Sequence, residues 1–376
     1  MRVAMISKAC IVGAYQTKLE AIGAHQDVEL TVIVPPSWNE SGHEQRLERE
    51  HTDGYELIET PIALNGRFHL HYYPGLGRLL ERIQPDICHV DEEPYNLATA
   101  LALRAARRIG ARSLFFTWQN LPRRYPWPFS AMERRAYAKV DAAIIGNQAA
   151  EGVLRAKGYA GPTRLIPQFG VDPAFFSPTG RETDRVFTIG YAGRLVEAKG
   201  RWTLVSALAQ MPGEWRLLLV GSGPLGPAIE ARLRDLGLRE RVTLQKRVPS
   251  GQMPEWYRRM DALVLPSLTR PNWMEQFGRV LIEAMACGTA VVGSDSGEIP
   301  NVIGDAGLVF PEGDVGALLG HLRALGRDPE WRQALGRAGR ERVLARYTQQ
   351  RIADETVALY RQMMDGNVPK QKAMEG

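Results

Sequence analysis

Cysteine is scarce. Cys10, Cys88 and Cys287 are spread over 376 positions, with no CxxC pair and no histidine pair nearby. That spacing excludes a disulfide framework, argues against a zinc site and fits a reducing, cytoplasmic setting. Lysine is rare too: only eight of the 47 basic residues, the rest being arginine. Genome composition alone can produce such a bias, but guanidinium also pairs bidentately with phosphate, so it fits anionic ligands. The net charge of +5 is modest for this length, and without a long basic block no nucleic-acid partner is expected. No apolar run approaches the ~20 residues of a membrane-spanning helix. The N-terminus, MRVAMISKAC, lacks a full apolar core and a small-residue cleavage site, so it reads as a first strand rather than a signal peptide.

What is present is ordinary for a soluble globular protein, with 44% apolar and 24% charged residues. The length favours two domains. Short β-rich apolar runs alternate with helical patterns. Strands are expected near Val3–Ile6, Glu29–Val34, Ile87–Val90, Ser113–Thr117 and Ala142–Ile145 in the first half. In the second half they are expected near Val186–Tyr191, Trp215–Val220, Val242–Leu244, Ala262–Leu265, Ala290–Gly293 and Leu308–Phe310. Near-continuous apolar strands separated by helices mean parallel sheets covered on both faces. The pattern occurs twice, giving two Rossmann-like, doubly wound α/β domains facing a cleft. The divisions are 1–168, a proline- and glycine-rich hinge at 169–184, a second domain at 185–346, a C-terminal helix at 347–365 and a flexible tail at 366–376.

Ligands of such sheets bind beyond the carboxyl ends of the strands, so the loops there carry the chemistry. VFTIGYAGRLVEAKG (Val186–Gly200) is strand, glycine turn, helix. Gly190 and Gly193 let the backbone approach a ligand, and Arg194 and Lys199 put two cations on one loop, which suits a diphosphate. The plain alternative is a pair of solvated charges beside a tight turn. PSLTRPNWMEQFGRVLIEAMACG (Pro266–Gly288) follows the next strand, with a helix expected from about Phe277–Gly278. Glu275 and Glu283 are eight residues apart, ~12 Å if helical. Ionised carboxylates are pure acceptors and suit hydroxyl donors, here a sugar and a ribose. Either glutamate alone would be read as a helix-start or surface acid.

Gly221-x-Gly223-x-x-Gly226 also matches a dinucleotide fingerprint. That motif wants an acid near the end of the following strand, where this chain has VTLQKR; only Lys246 or Arg247 would leave NADP open. In the first half, PDICHVDEEPYN (Pro85–Asn96) places His89, Asp91, Glu92 and Glu93 at a strand end, and His89 reads equally well as that strand's buried residue. WQNLPRRYPWPFSAMERRAY (Trp118–Tyr137) brings Trp118, Arg123, Arg124, Tyr125, Trp127 and Phe129 together. These could form an acceptor rim, touch an anionic membrane surface, or simply pack on the domain with the arginines solvated.

Together GRLVEAKG, VGSGPLG, LVLPS, the E-x7-E of EQFGRVLIE, EAMACGTAVVGSDSGEIPNVI and GLVFPEGD resemble the retaining glycosyltransferases of the GT-B fold, family 4 or group 1. The resemblance covers most of the chain. It implies an acceptor-binding first domain, a second domain that binds a UDP- or GDP-sugar, and a C-terminal helix crossing back to the first domain. It further implies that Gly193, Arg194 and Lys199 hold the donor diphosphate and Glu283 the ribose. Glu275 would meet the sugar hydroxyls, with amides near Phe277 and Gly278 at the sugar or distal phosphate. The family often carries a histidine in the first-domain loop, and Glu92 stands near that point as a further catalytic candidate. Phe169 replaces a more frequent asparagine, and only Gly13 stands where Gly-Gly is common. The implied reaction is metal-independent transfer of a sugar to an acceptor hydroxyl on a sugar, a lipid-linked glycan or a small molecule. No cofactor beyond the donor is expected, and domain closure would exclude water. A peripheral contact with the inner membrane face is compatible with a cytoplasmic protein of this kind. A sugar-phosphate synthase, a glucan synthase and a non-catalytic nucleotide-binding protein are the alternatives.

Overall fold

Alternation along the first strand explains how one short run serves two faces. In Arg2–Ile6, Val3 and Met5 join one core while Ala4 and Ile6 join another, because successive side chains of a strand point to opposite sides. The computed structural model describes residues 1–40, 43–180, 186–246 and 248–368. The end of the expected hinge (181–184), position 185 at the expected start of the second domain, Arg247 and the tail beyond 368 lie outside the described residues.

The chain divides into two units, Val171–Thr348 and the remainder, so the chain from Gln349 onward belongs with the first. The first unit's strands are β1 (Arg2–Ile6), β2 (Glu29–Val34), β3 (Ser37–Glu40), β4 (His43–Arg46), β5 (Glu56–Glu59), β6 (Ile87–Val90), β7 (Arg112–Thr117), β8 (Ala142–Ile145) and β9 (Thr163–Leu165). Seven form a parallel sheet in the order β5-β2-β1-β6-β7-β8-β9, while β3 and β4 make a separate antiparallel hairpin. The helix Gln349–Met364 buries Ile352, Ala353, Thr356, Val357, Tyr360 and Met363. That three- and four-residue spacing is one helical face, and it packs in the core on the Val3/Met5 side of the sheet.

The second unit holds β10 (Thr188–Ala192), β11 (Arg216–Val220), β12 (Val242–Gln245), β13 (Ala262–Leu265), β14 (Ala290–Ser294) and β15 (Leu308–Phe310). All pairings are parallel, in the order β12-β11-β10-β13-β14-β15. Each sheet reverses direction of growth once, between β1 and β6 in the first unit and between β10 and β13 in the second. Such switch points are where open parallel sheets leave a crevice for a ligand. The loops after β1, β6, β10 and β13 are the motif loops. Among the described residues no helix is long and apolar enough to cross a membrane.

Candidate active site

In the second unit three loops are braced against one another through glycines. A Cβ on Gly221 (φ +142°) would collide with the Gly193 carbonyl, and one on Gly223 with the Leu195 backbone. Leu195 N donates to Ser222 O at 2.9 Å and Leu225 N to Leu195 O at 3.2 Å. Gly221 and Gly223 therefore serve close packing of the neighbouring loop, which gives the first two glycines of the dinucleotide-like spacing a structural cause, whereas a Cβ on Gly226 would make only an ordinary contact with Leu195. A Cβ on Gly200 (φ +62°) would likewise strike Pro266 O, beside the bond from Leu268 N to Ala198 O at 2.8 Å.

This bracing brings Lys199 to Glu275. The ammonium lies 2.6 Å from Glu275 Oε2 and 5.0 Å from the centre of the Trp273 ring, and Ser267 Oγ donates to the same carboxylate oxygen at 2.8 Å. Lys199 is 15% exposed and Glu275 10% by side chain. The lysine is thus no solvated surface charge. Glu275 sits in the loop, its carbonyl accepting from Glu298 N at 3.2 Å. The helix starts only at Arg279, after Gly278 at φ +84°. Phe277 is buried and meets Tyr347 edge-on at 5.7 Å. Eight residues downstream, Glu283 accepts from Tyr257 Oη at 2.6 Å and pairs with Arg279 Nε at 2.7 Å. Burial first, then the charge of Glu283, raises the Tyr257 phenol well above its ordinary range, so it remains a donor. Arg194 is exposed and forms no ion pair among the described residues. The structure therefore joins Lys199 with Glu275, places Gly193 and Arg194 on the same loop as Lys199, and holds Glu283 in a separate pair on the adjoining helix.

In the first unit Glu92 is buried, and both its oxygens are engaged. Oε2 meets Lys8 Nζ at 2.7 Å, His71 Nε2 at 2.9 Å and Asn96 Nδ2 at 3.3 Å, while Oε1 accepts from Tyr73 Oη at 2.8 Å. Burial works to raise its pKa, but Lys8 and His71 outweigh burial and hold the carboxyl well below its usual range. Lys8 in turn lies 4.9 Å from the Phe68 ring centre and 5.5 Å from that of Trp38. Glu93 behaves in the opposite way. Burial pushes its carboxyl up to about 7, against the bonds from Thr117 Oγ1 at 2.6 Å and Trp118 N at 2.8 Å. Asp91 accepts from Ser7 Oγ at 2.7 Å, and burial raises it as well. His89 is buried with Nδ1 2.6 Å from Tyr360 Oη, and burial lowers it to about 3; it is the strand's own interior residue. Sequence reasoning did not find Lys8, His71 or Tyr73, which come from separate segments.

The aromatic loop divides. Tyr125 packs on Tyr95 at 4.2 Å between ring centres, and Trp118 Nε1 donates to Gln168 Oε1 at 2.9 Å. Trp127 is 81% exposed, and Arg123 and Arg124 are exposed beside it. Among the described residues no group of three or more His, Cys, Asp or Glu side chains is arranged to hold a metal ion.

Comparison with known proteins places this arrangement. The family model for glycosyl transferases group 1 matches residues 175–342, and that for the glycosyl transferase 4-like domain matches 12–168. The chain is 27% identical over 356 residues to a GDP-mannose-dependent alpha-(1-6)-phosphatidylinositol monomannoside mannosyltransferase of Mycolicibacterium smegmatis, covering 88% of this chain and 90% of that one. It is 30% identical over 254 residues to a D-inositol 3-phosphate glycosyltransferase of Segniliparus rotundus, covering 62% of this chain and 55% of the relative. Among solved structures, sucrose-phosphate synthase from Thermosynechococcus elongatus superposes with a TM-score of 0.73 at 23% identity, covering 98% of this chain and all of that one. HepE of Anabaena, in complex with UDP, gives a TM-score of 0.73 at 18% identity over 96% of this chain and all of that one. Both are GT-B folds, matching the paired parallel sheets found here. The relatives are named as transferases acting on different acceptors. With both domain models matched along most of its length, this chain belongs to the group 1 glycosyl transferases.

Proposed function

We propose that the chain moves a sugar from a UDP- or GDP-sugar to an acceptor hydroxyl, with retention of anomeric configuration and without a metal ion. The observation that carries this reading is the Lys199–Glu275 pair at the β10/β13 switch point. It sets one cation and one acceptor side by side, where a ligand would bring a phosphate and a sugar hydroxyl. Arg194 and Lys199 hold the diphosphate and offset the charge that develops on the leaving group. Glu275 accepts from the sugar hydroxyls, amides near Phe277 and Gly278 meet the sugar or distal phosphate, and Glu283 accepts from the ribose. In a front-face reaction the departing phosphate takes the acceptor proton, so no dedicated base is required.

Glu92 enters through Lys8, which it holds at the β1/β6 switch point where the acceptor is placed. The naming of a GDP-mannose enzyme and of a UDP complex among the similar proteins supports a nucleoside-diphosphate donor. The exposed Trp127 between arginines supports contact with an anionic membrane face.

The test is a thermal-shift panel with UDP, GDP, ADP, NAD and NADP, followed by turnover of labelled donor in the presence of EDTA. UDP or GDP at 100 times its dissociation constant should add about 2.7 kcal/mol, and transfer should survive chelation. Stabilisation by NADP alone, or loss of turnover with EDTA that added metal restores, would refute the reading.

A further inference from the structure

Arg201 opens the helix Arg201–Leu208 and is only 1% exposed. Its Nη1 donates to Val196 O, while Nε and Nη2 have no hydrogen-bond partner among the described residues. No carboxylate there forms an ion pair with it. Tyr191 is its polar neighbour, and that phenol donates to Arg194 O at 2.9 Å. A Cβ on Gly193 would stand 3.4 Å from the same phenol oxygen. Arg201 and Tyr191 together therefore form the floor of the Gly193–Gly200 loop.

An arginine buried for structure alone is expected to be paired, because an unpaired interior charge is among the costliest groups a fold can hold. Arg201 satisfies one of its five donors at Val196 O and has no carboxylate in ion-pair contact among the described residues; burial disfavours its charge, and only the Tyr191 phenol and the more distant Glu197 favour it. On the donor reading, the diphosphate lies on the opposite side of the loop from Arg201. The carbonyls of Arg194 and Val196 accept from Tyr191 and Arg201 below, which keeps two negative dipole ends turned away from that side.

We propose that Arg201 is a positioning residue for the donor diphosphate: it raises the potential of the loop from beneath and holds the Val196 carbonyl inward. This rests on the donor reading given above. It adds a third, more deeply buried cation to Arg194 and Lys199 of the same loop.

The experiment compares wild type, Arg201→Met and Arg201→Lys as full chains. Calorimetry is run with UDP and GDP and with uridine and guanosine, beside ligand-free melting curves. Arg201→Met should weaken the diphosphate at least about tenfold, the scale of one lost charged interaction, and the nucleoside less than about twofold. Its ligand-free melting midpoint should hold or rise, since an unpaired buried charge has gone. Arg201→Lys, which keeps the charge, should stay within about threefold of wild type. Equal losses for diphosphate and nucleoside, or no loss of either, would overturn the role. Should Arg201→Met fail to fold, Arg201→Gln, which keeps donors without charge, decides by the same ratio. A wild type that binds neither diphosphate refutes the donor reading and this inference with it. A wild type that binds while the variant's ratio is unchanged refutes only Arg201.

Discussion

Lys199→Met separates a working cation from a decorative one. The methionine stem still covers Trp273, but Glu275 loses the ammonium 2.6 Å away and keeps the Ser267 hydroxyl. With side chains 15% and 10% exposed, the pair lies nearer the buried limit than the surface one. Removing one partner should cost ~2–4 kcal/mol, between the values for surface and fully buried pairs. At roughly 2–4 °C per kcal/mol for a unit of this size, the melting midpoint should fall by about 4–16 °C. Arg194→Ala, with no ion pair to lose, should shift it by less than about 2 °C. Both variants should lose transfer at least about tenfold, since on the proposed mechanism each removes a charged interaction with the leaving diphosphate. The double variant Lys199→Met/Glu275→Gln removes the stranded charge and should recover at least about half of the lost stability, the sign of a coupled pair. It should recover no activity if, as proposed, both groups face the donor. Calorimetric melting beside initial rates reads all four proteins. A Lys199→Met chain that melts with wild type, or a double variant no more stable than the single one, would refute the reasoning.

Three further outcomes follow from the same geometry. Glu283→Ala should weaken binding of free UDP or GDP, whereas Glu275→Ala should leave that affinity nearly intact and lower transfer; equal losses of nucleotide affinity would contradict the assigned roles. Glu93, raised to about 7 by burial, favours its protonated form in the folded chain, so its contribution is fully present below about 4.5 and is lost as pH rises through 7. Glu93→Gln should therefore melt close to wild type at pH 4.5 and above it at pH 8, and a pH-independent difference would count against the shift. Trp127→Ser should reduce co-sedimentation with vesicles rich in anionic lipid and leave transfer to a soluble acceptor unchanged; undiminished co-sedimentation would remove Trp127 as the contact.

The second unit was almost entirely legible because its strands are unbroken apolar runs buried on both faces, such as ALVL at Ala262–Leu265. Glu56–Glu59 escaped notice because an edge strand has only partial burial, and this one places a glutamate at each end. Thr163–Leu165 escaped because three residues make no pattern. Arg194, Lys199, Glu275 and Glu283 stood out through the spacing of two loops. The contact between Lys199 and Glu275, 76 residues apart, depends on glycine packing that spacing alone does not encode. Glu92 stood out as an acid after a strand, but its meaning lies in Lys8, His71 and Tyr73, which only the parallel sheet brings together. Arg201 gave no signal at all: beside Lys199 it reads as one more basic residue on a loop, and only its burial sets it apart.

The glycine bracing has a consequence for local unfolding. Gly193, Gly200, Gly221 and Gly297 each lie against the backbone of a neighbouring loop or leave room for it, and the bonds Leu195 N to Ser222 O, Leu268 N to Ala198 O and Glu298 N to Glu275 O run between the same loops. No one of these segments can lift away without breaking contacts in the next. Loops usually exchange their amide hydrogens through small independent openings; here the amides of Leu195, Leu268 and Glu298 should exchange together, in a single opening that involves several strand ends at once. If these loops receive the donor as proposed, their surface is rigid before it arrives, and little order remains to be imposed on it by binding.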